Sequence, residues 1–184
     1  MSPPGAIHSV HFYTQDEALV QRLCGIFAAA INAGNSVLLV ATEAHERQIT
    51  SRLENEGLDP SSLRESGRFI LKDASEMLKK FMVRGLPDRE RFEETVRPLL
   101  ERARSAAWNR ERGVTAFGEM VAVLLEAGNH KGALQLETLW NDLLSDHSFH
   151  LHCAYPEGVL TQHADESVRR AICVQHSHIV GQTA

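Results

Sequence analysis

Apolar residues along this chain follow two rhythms, short unbroken runs and longer stripes with helical spacing. Residues 8–13 read as a first strand ending Val10-His11-Phe12-Tyr13. Beyond Thr14-Gln15-Asp16-Glu17, the residues Leu19, Leu23, Ile26, Phe27, Ala30 and Ile31 share one helix face, and Gly34 stops that helix. Thr14 and Glu17 have the spacing of a capping box. Ser36-Val37-Leu38-Leu39-Val40-Ala41 is apolar without alternation, as expected of a central parallel strand covered on both faces. Thr42 is placed to cap a second helix running through Ile49 and Leu53 to Gly57. Strand three is Arg68-Phe69-Ile70-Leu71-Lys72, and Asp73 caps a short helix with Met77, Leu78 and Phe81.

Gly85-Leu86-Pro87-Asp88 forms a turn before a long helix bearing Phe92, Val96, Leu99, Leu100 and Ala103, which Pro98 should kink. Val114-Thr115-Ala116-Phe117 is the fourth strand, and Gly118 opens the next helix. Gly128-Asn129 ends that helix, and Asn129 caps a successor carrying Ala133, Leu136, Trp140 and Leu143 or Leu144. A further strand spans 148–154, and Val168, Ala171 and Ile172 mark a final helix. Strands alternating with helices predict an α/β fold, a predominantly parallel sheet with helices on both faces.

Composition narrows the function. The 184 residues suit one well-buried domain. A net charge of −5 without a Lys/Arg cluster argues against a nucleic-acid binder. No apolar run approaches membrane-spanning length, and Met1-Ser2-Pro3-Pro4-Gly5 does not read as a leader. Cys24, Cys153 and Cys173 form no short pairing motif, so a reduced, cytoplasmic setting is expected.

The first strand-to-helix turn carries the sharpest exclusion. Nucleotide-binding α/β proteins place a glycine-rich loop there so that backbone N–H groups close on phosphate. Residues 11–18 contain neither glycine nor lysine and add Asp16 and Glu17. The architecture of a nucleotide-binding protein therefore lacks its phosphate chemistry, which favours a sensor or binding module over an NTPase, and no cofactor is expected.

Six separated segments resemble one family in order. They are His11-Phe12-Tyr13, the run from Gly34 to Thr42, the run from Gly67 to Asp73, Phe117-Gly118-Glu119-Met120-Val121, Leu136-Glu137-Thr138-Leu139-Trp140-Asn141 and Cys153-Ala154-Tyr155-Pro156. Together they resemble the MEDS domain, the sensory domain of the dichloromethane-responsive repressor DcmR and of methanogen and methylotroph regulators. The resemblance implies a single RecA-like three-layer domain over 7–180, like that of the clock ATPase KaiC, with flexible ends at 1–6 and 181–184. It also implies sensing of a small hydrocarbon derivative. No residues are left for a helix-turn-helix, so output would pass to a signalling partner protein rather than to DNA, and a homodimer is one assembly open to the chain.

In open α/β sheets, ligands bind beyond the carboxyl ends of the strands. His11, Tyr13, Thr42, Glu43, Asp73 and Glu119 sit at such ends. Capping accounts for Thr42 and Asp73, whereas Tyr13 and Glu119 are not preferred caps and are candidates for ligand contact, with His11 beside them. Glu137 and Asn141, one turn apart beside Trp140, are candidates to line a cavity, although a helix edge has the same pattern. His150, His152, Cys153 and His176 offer imidazole and thiolate donors for a metal, without a known zinc spacing. The rival reading is a metal-binding protein or small enzyme built on this Cys/His-rich C-terminal region, for instance through Cys153 with His176 or His11.

Overall fold

The computed structural model describes residues 6–108, 113–164 and 166–180. β1 (Ile7–Tyr13), α1 (Asp16–Asn32), β2 (Ser36–Ala41), α2 (Glu43–Asn55), α3 (Pro60–Glu65) and β3 (Phe69–Asp73) build the first half. Then come α4 (Ala74–Phe81), a ribbon of β4 (Met82–Val83) and β5 (Leu86–Pro87), and α5 (Arg89–Ala106). β6 (Val114–Gly118), α6 (Met120–Glu126), α7 (His130–Asp146), β7 (His150–Pro156), α8 (Glu157–His163), α9 (Glu166–Gln175) and β8 (His178–Val180) complete the chain. Six strands pair in parallel in the order β3-β2-β6-β7-β1-β8.

Burial explains why β2 reads as an unbroken apolar run. Val37, Leu39 and Ala41 join the core beneath α1 and α2, while Leu38 and Val40 join the core on the other face. That second core gathers Met77 and Phe81 of α4, Phe92 and Val96 of α5, Leu124 of α6 and Leu136 and Trp140 of α7. The result is the expected three-layer α/β arrangement. β1 splits its side chains in the same way: Val10 and Phe12 enter the α7-side core, and Tyr13 packs on the α1 side. The expected flexible ends lie outside the described residues except for Ala6, which packs against the core.

Several local expectations change. α1 starts at Asp16 with Gln15 as N-cap and no side-chain cap, so Thr14 lies one residue too early for a capping box with Glu17. Thr42 is the N-cap of α2, yet its hydroxyl makes no cap bond because Glu119 takes it. Asp73 and Asn129 do cap, accepting from the Glu76 and Gly132 amides. Gly118 is the last residue of β6 rather than the start of a helix, and Glu119 stands between strand and helix. β7 runs two residues later than predicted because its pairing with β1 extends to Pro156. The predicted 85–88 turn is the second arm of a hairpin: Arg84 (φ 50°) and Gly85 (φ 84°) are its two left-handed residues, as a type I′ connection requires. α5 continues through Pro98. The short α3 and α8 and strands β4, β5 and β8 were not legible from the pattern.

Candidate functional site

Three strand ends converge at the carboxyl edge of the sheet. Tyr13 closes β1, Thr42 follows β2, and Glu119 follows β6. The Glu119 amide is held by the Val40 carbonyl at 2.9 Å, which fixes the turn leaving β6. Its buried carboxylate accepts from the Thr42 amide at 2.7 Å and the Thr42 hydroxyl at 3.2 Å. It also makes a hydrogen bond with Nδ1 of His45, a buried residue in the first turn of α2. An anion therefore sits where two helices begin and where their unpaired amides and dipoles favour negative charge.

His45 was not singled out by the sequence. Helical position conceals it, since a polar residue three places into a polar helix reads as solvated surface. Its hydrogen bond with Glu119 raises its pKa, against an opposing effect of burial, and Asp16 adds to the rise. Its Nε2 is 3.6 Å from the Asp16 carboxylate and, although buried, makes no hydrogen bond among the described residues. The Tyr13 ring lies edge-on to His45, centroids 6.3 Å apart. Burial, with the charges of Glu119 and Asp16 behind it, pushes the Tyr13 phenol up, so the hydroxyl keeps its proton.

The other predicted residues lie elsewhere. His11 is on the same face of β1 as Tyr13 but points to His152, with ring centroids 5.6 Å apart. Burial, with the nearby Arg22 charge, lowers its pKa to about 4, and its Nε2 is buried without a hydrogen bond among the described residues. His152 accepts or donates through Nδ1 to the Ser9 hydroxyl at 2.6 Å, and burial pushes its pKa down to about 3. Trp140 is core: Phe92 stands perpendicular to it at 5.0 Å and Phe149 flanks it at 6.3 Å.

Glu137 and Asn141 join a second polar cluster, on the opposite face of the sheet from Tyr13. Glu137 is fully buried, and the Tyr155 hydroxyl donates to its Oε1 at 2.6 Å. Its Oε2 is 3.3 Å from Nε2 of His8 and 3.7 Å from Sγ of Cys153, and Oε1 is 3.5 Å from Nε2 of His176. Burial alone would raise the Glu137 pKa, but His176, His8 and Tyr155 together bring it below the usual carboxylate value. Of the four metal candidates, Cys153 and His176 meet here. His150 and His152 do not, because strand alternation turns them to the other face. Sequence reasoning missed His8 because a lone histidine on a strand has no neighbouring motif.

The sequence profile of one family, described as MEDS, the MEthanogen/methylotroph and DcmR Sensory domain, matches residues 7–176. No curated protein matches the chain.

Proposed function

The chain belongs to the MEDS family of sensory domains, and on that premise we propose that it binds a small, mostly apolar molecule at the carboxyl edge of its sheet. The observation that carries this reading is the buried Nε2 of His45, which among the described residues makes no hydrogen bond, only a 3.6 Å approach to the Asp16 carboxylate, beside a fully engaged Glu119. A buried polar atom left without a hydrogen bond costs about 1–3 kcal/mol, so a ligand group that hydrogen-bonds Nε2 recovers part of that amount on arrival. The apolar body of the ligand rests against the Tyr13 ring. Nothing in this set acts as a nucleophile, and Asp16 and Glu17 occupy the helix start where a phosphate would have to sit, so the role is recognition rather than catalysis.

Binding shifts a two-state equilibrium to the degree that the ligand prefers one state, and a partner protein reads the shift. Because Glu119 ties β6 to α2 through Thr42 and His45, a ligand that moves His45 moves the start of α2 with it.

Titrating isotope-labelled protein with dichloromethane and other small hydrocarbon derivatives tests the reading. Shifts should cluster at residues around Tyr13, His45 and Glu119 and should vanish in His45→Phe. Shifts centred on another part of the fold, or none across the series, would refute it.

A further inference from the structure

The cluster of His8, Glu137, Cys153 and His176 brings one donor atom from each residue to within 4.8 Å of every other, all four residues buried. They come from β1, α7, β7 and the turn after α9, so only the tertiary fold unites them. From this juxtaposition we propose a closed, four-coordinate site for a divalent transition ion of the zinc class. It is separate from the carboxyl-edge site around His45 and does not depend on it.

Three observations carry the proposal. The first is spacing. Tetrahedral zinc with N and O donors near 2.0–2.1 Å and sulfur near 2.3 Å has donor–donor edges of about 3.3–3.6 Å. The edges here are 3.3 Å from His8 to Glu137, 3.5 Å from His8 to Cys153 and 3.7 Å from Cys153 to Glu137. The fourth donor, His176 Nε2, lies within 4.8 Å of the others, and its 3.5 Å approach to Glu137 is to the oxygen that Tyr155 also holds.

The second is orientation of the two imidazoles. The Asn141 amide donates to the backbone and side-chain oxygens of Gln175, at 2.9 and 2.7 Å, which leaves its own oxygen facing Nδ1 of His8 at 2.9 Å. That nitrogen must carry the proton. Nδ1 of His176 faces the Ile172 carbonyl at 2.7 Å and must donate as well. In the neutral rings, both Nε2 lone pairs are therefore aimed into the cluster, and among the described residues His176 Nε2 is buried without a hydrogen bond. An imidazole held this way by an outer carbonyl is the usual arrangement of a metal ligand.

The third is charge. In the neutral rings the Nε2 lone pair of His8 faces the Glu137 carboxylate, and a buried carboxylate needs a compensating cation, which a protonated imidazole or a metal ion supplies. A divalent ion supplies it while both imidazoles stay neutral ligands. On binding, the Cys153 thiol releases its proton to solvent, and the ion, one thiolate, one carboxylate and two neutral imidazoles sum to zero charge. Tyr155 continues to donate to the outer oxygen of Glu137. With no place left for water, the ion is structural and pins the turn after α9 to the sheet.

The experiment uses the full chain, stripped with chelator and titrated with cobalt(II) and then zinc(II). Cobalt should bind one per chain, with tetrahedral ligand-field bands and a thiolate charge-transfer band, and zinc should displace it. Cys153→Ser should lose the charge-transfer band. Asn141→Ala should weaken binding by about 10–100-fold, the usual effect of losing the group that orients a ligand. His150→Ala with His152→Ala should leave all of this unchanged. No stoichiometric uptake by the wild-type protein would overturn the proposal. So would uptake that survives Cys153→Ser with its spectrum intact, or that disappears with His150 and His152. The wild-type spectrum decides the matter by itself if a variant fails to fold.

Discussion

Replacing Glu119 by glutamine keeps the shape of the side chain and removes its charge. In the native protein the carboxylate accepts from the Thr42 amide, the Thr42 hydroxyl and His45. Hydrogen bonds to a charged group contribute about 1.5–3 kcal/mol and neutral ones about 0.5–1.5 kcal/mol, a difference of roughly 1 kcal/mol per bond. The new side-chain amide retains one oxygen for Thr42 but turns an NH2 group toward His45, which must then be neutral and accept. Three weakened bonds correspond to a loss of about 2–3 kcal/mol while His45 is protonated. The sign of the pH dependence follows from the raised pKa of His45. Its contribution is complete below the unfolded value of about 6.5 and disappears as pH rises through the higher folded value. Urea denaturation of both proteins at about pH 6 and about pH 9 should therefore give a large difference at the lower pH and a smaller one at the higher. The NMR titration midpoint of His45 should fall in the variant. A loss below about 0.5 kcal/mol at the lower pH, or an equal loss at both, would refute the reasoning.

Other expectations rest on separate parts of the fold. Leu136→Ala and Leu139→Ala empty buried sites on α7 and should each cost about 2–5 kcal/mol by chemical denaturation. Losses under about 1 kcal/mol for both would mean that this helix face is not core. Arg68 donates to the carbonyls of Ile31 and Asn35 at the end of α1 and stacks 4.1 Å from the Trp108 ring centroid. Arg68→Lys loses the stack on Trp108 and the reach of Nη2 to both carbonyls, so about 1–3 kcal/mol should go, with a change in Trp108 fluorescence, and an unchanged melt would count against it. His11, with a folded pKa of about 4 against 6.5 unfolded, withdraws roughly 3 kcal/mol of stability as pH falls between those values. His11→Gln should flatten the acid limb of the stability curve, and a His11 titration midpoint near 6.5 by NMR would exclude this cause.

How much was legible from residue order alone depends on the range of the forces involved. The stripe from Leu19 to Ile31, the unbroken run of β2 and the caps at Asp73 and Asn129 are local patterns, and each reappears in the structure. Burial needs only a face, and a face is written in the spacing of apolar residues. Thr14 and Thr42 show the limit of that logic. Both have cap chemistry, yet one lies a residue too early, and the other gives its hydroxyl to a carboxylate 77 positions away. Tyr13 and Glu119 stood out because strand ends gather at one edge in any such sheet. His45 and His8 did not, because a single histidine on a helix or strand carries no signal of its partners. The strand order, which puts β7 between β6 and β1, was decided only in three dimensions. Strand alternation then turns Cys153 toward Glu137 and His152 away from it, so neighbours in sequence serve opposite faces. The sequence determined the layers, through short-range periodicity. The tertiary structure alone determined which polar groups meet, because their hydrogen bonds join residues more than seventy positions apart at Glu119 and more than a hundred apart at His8.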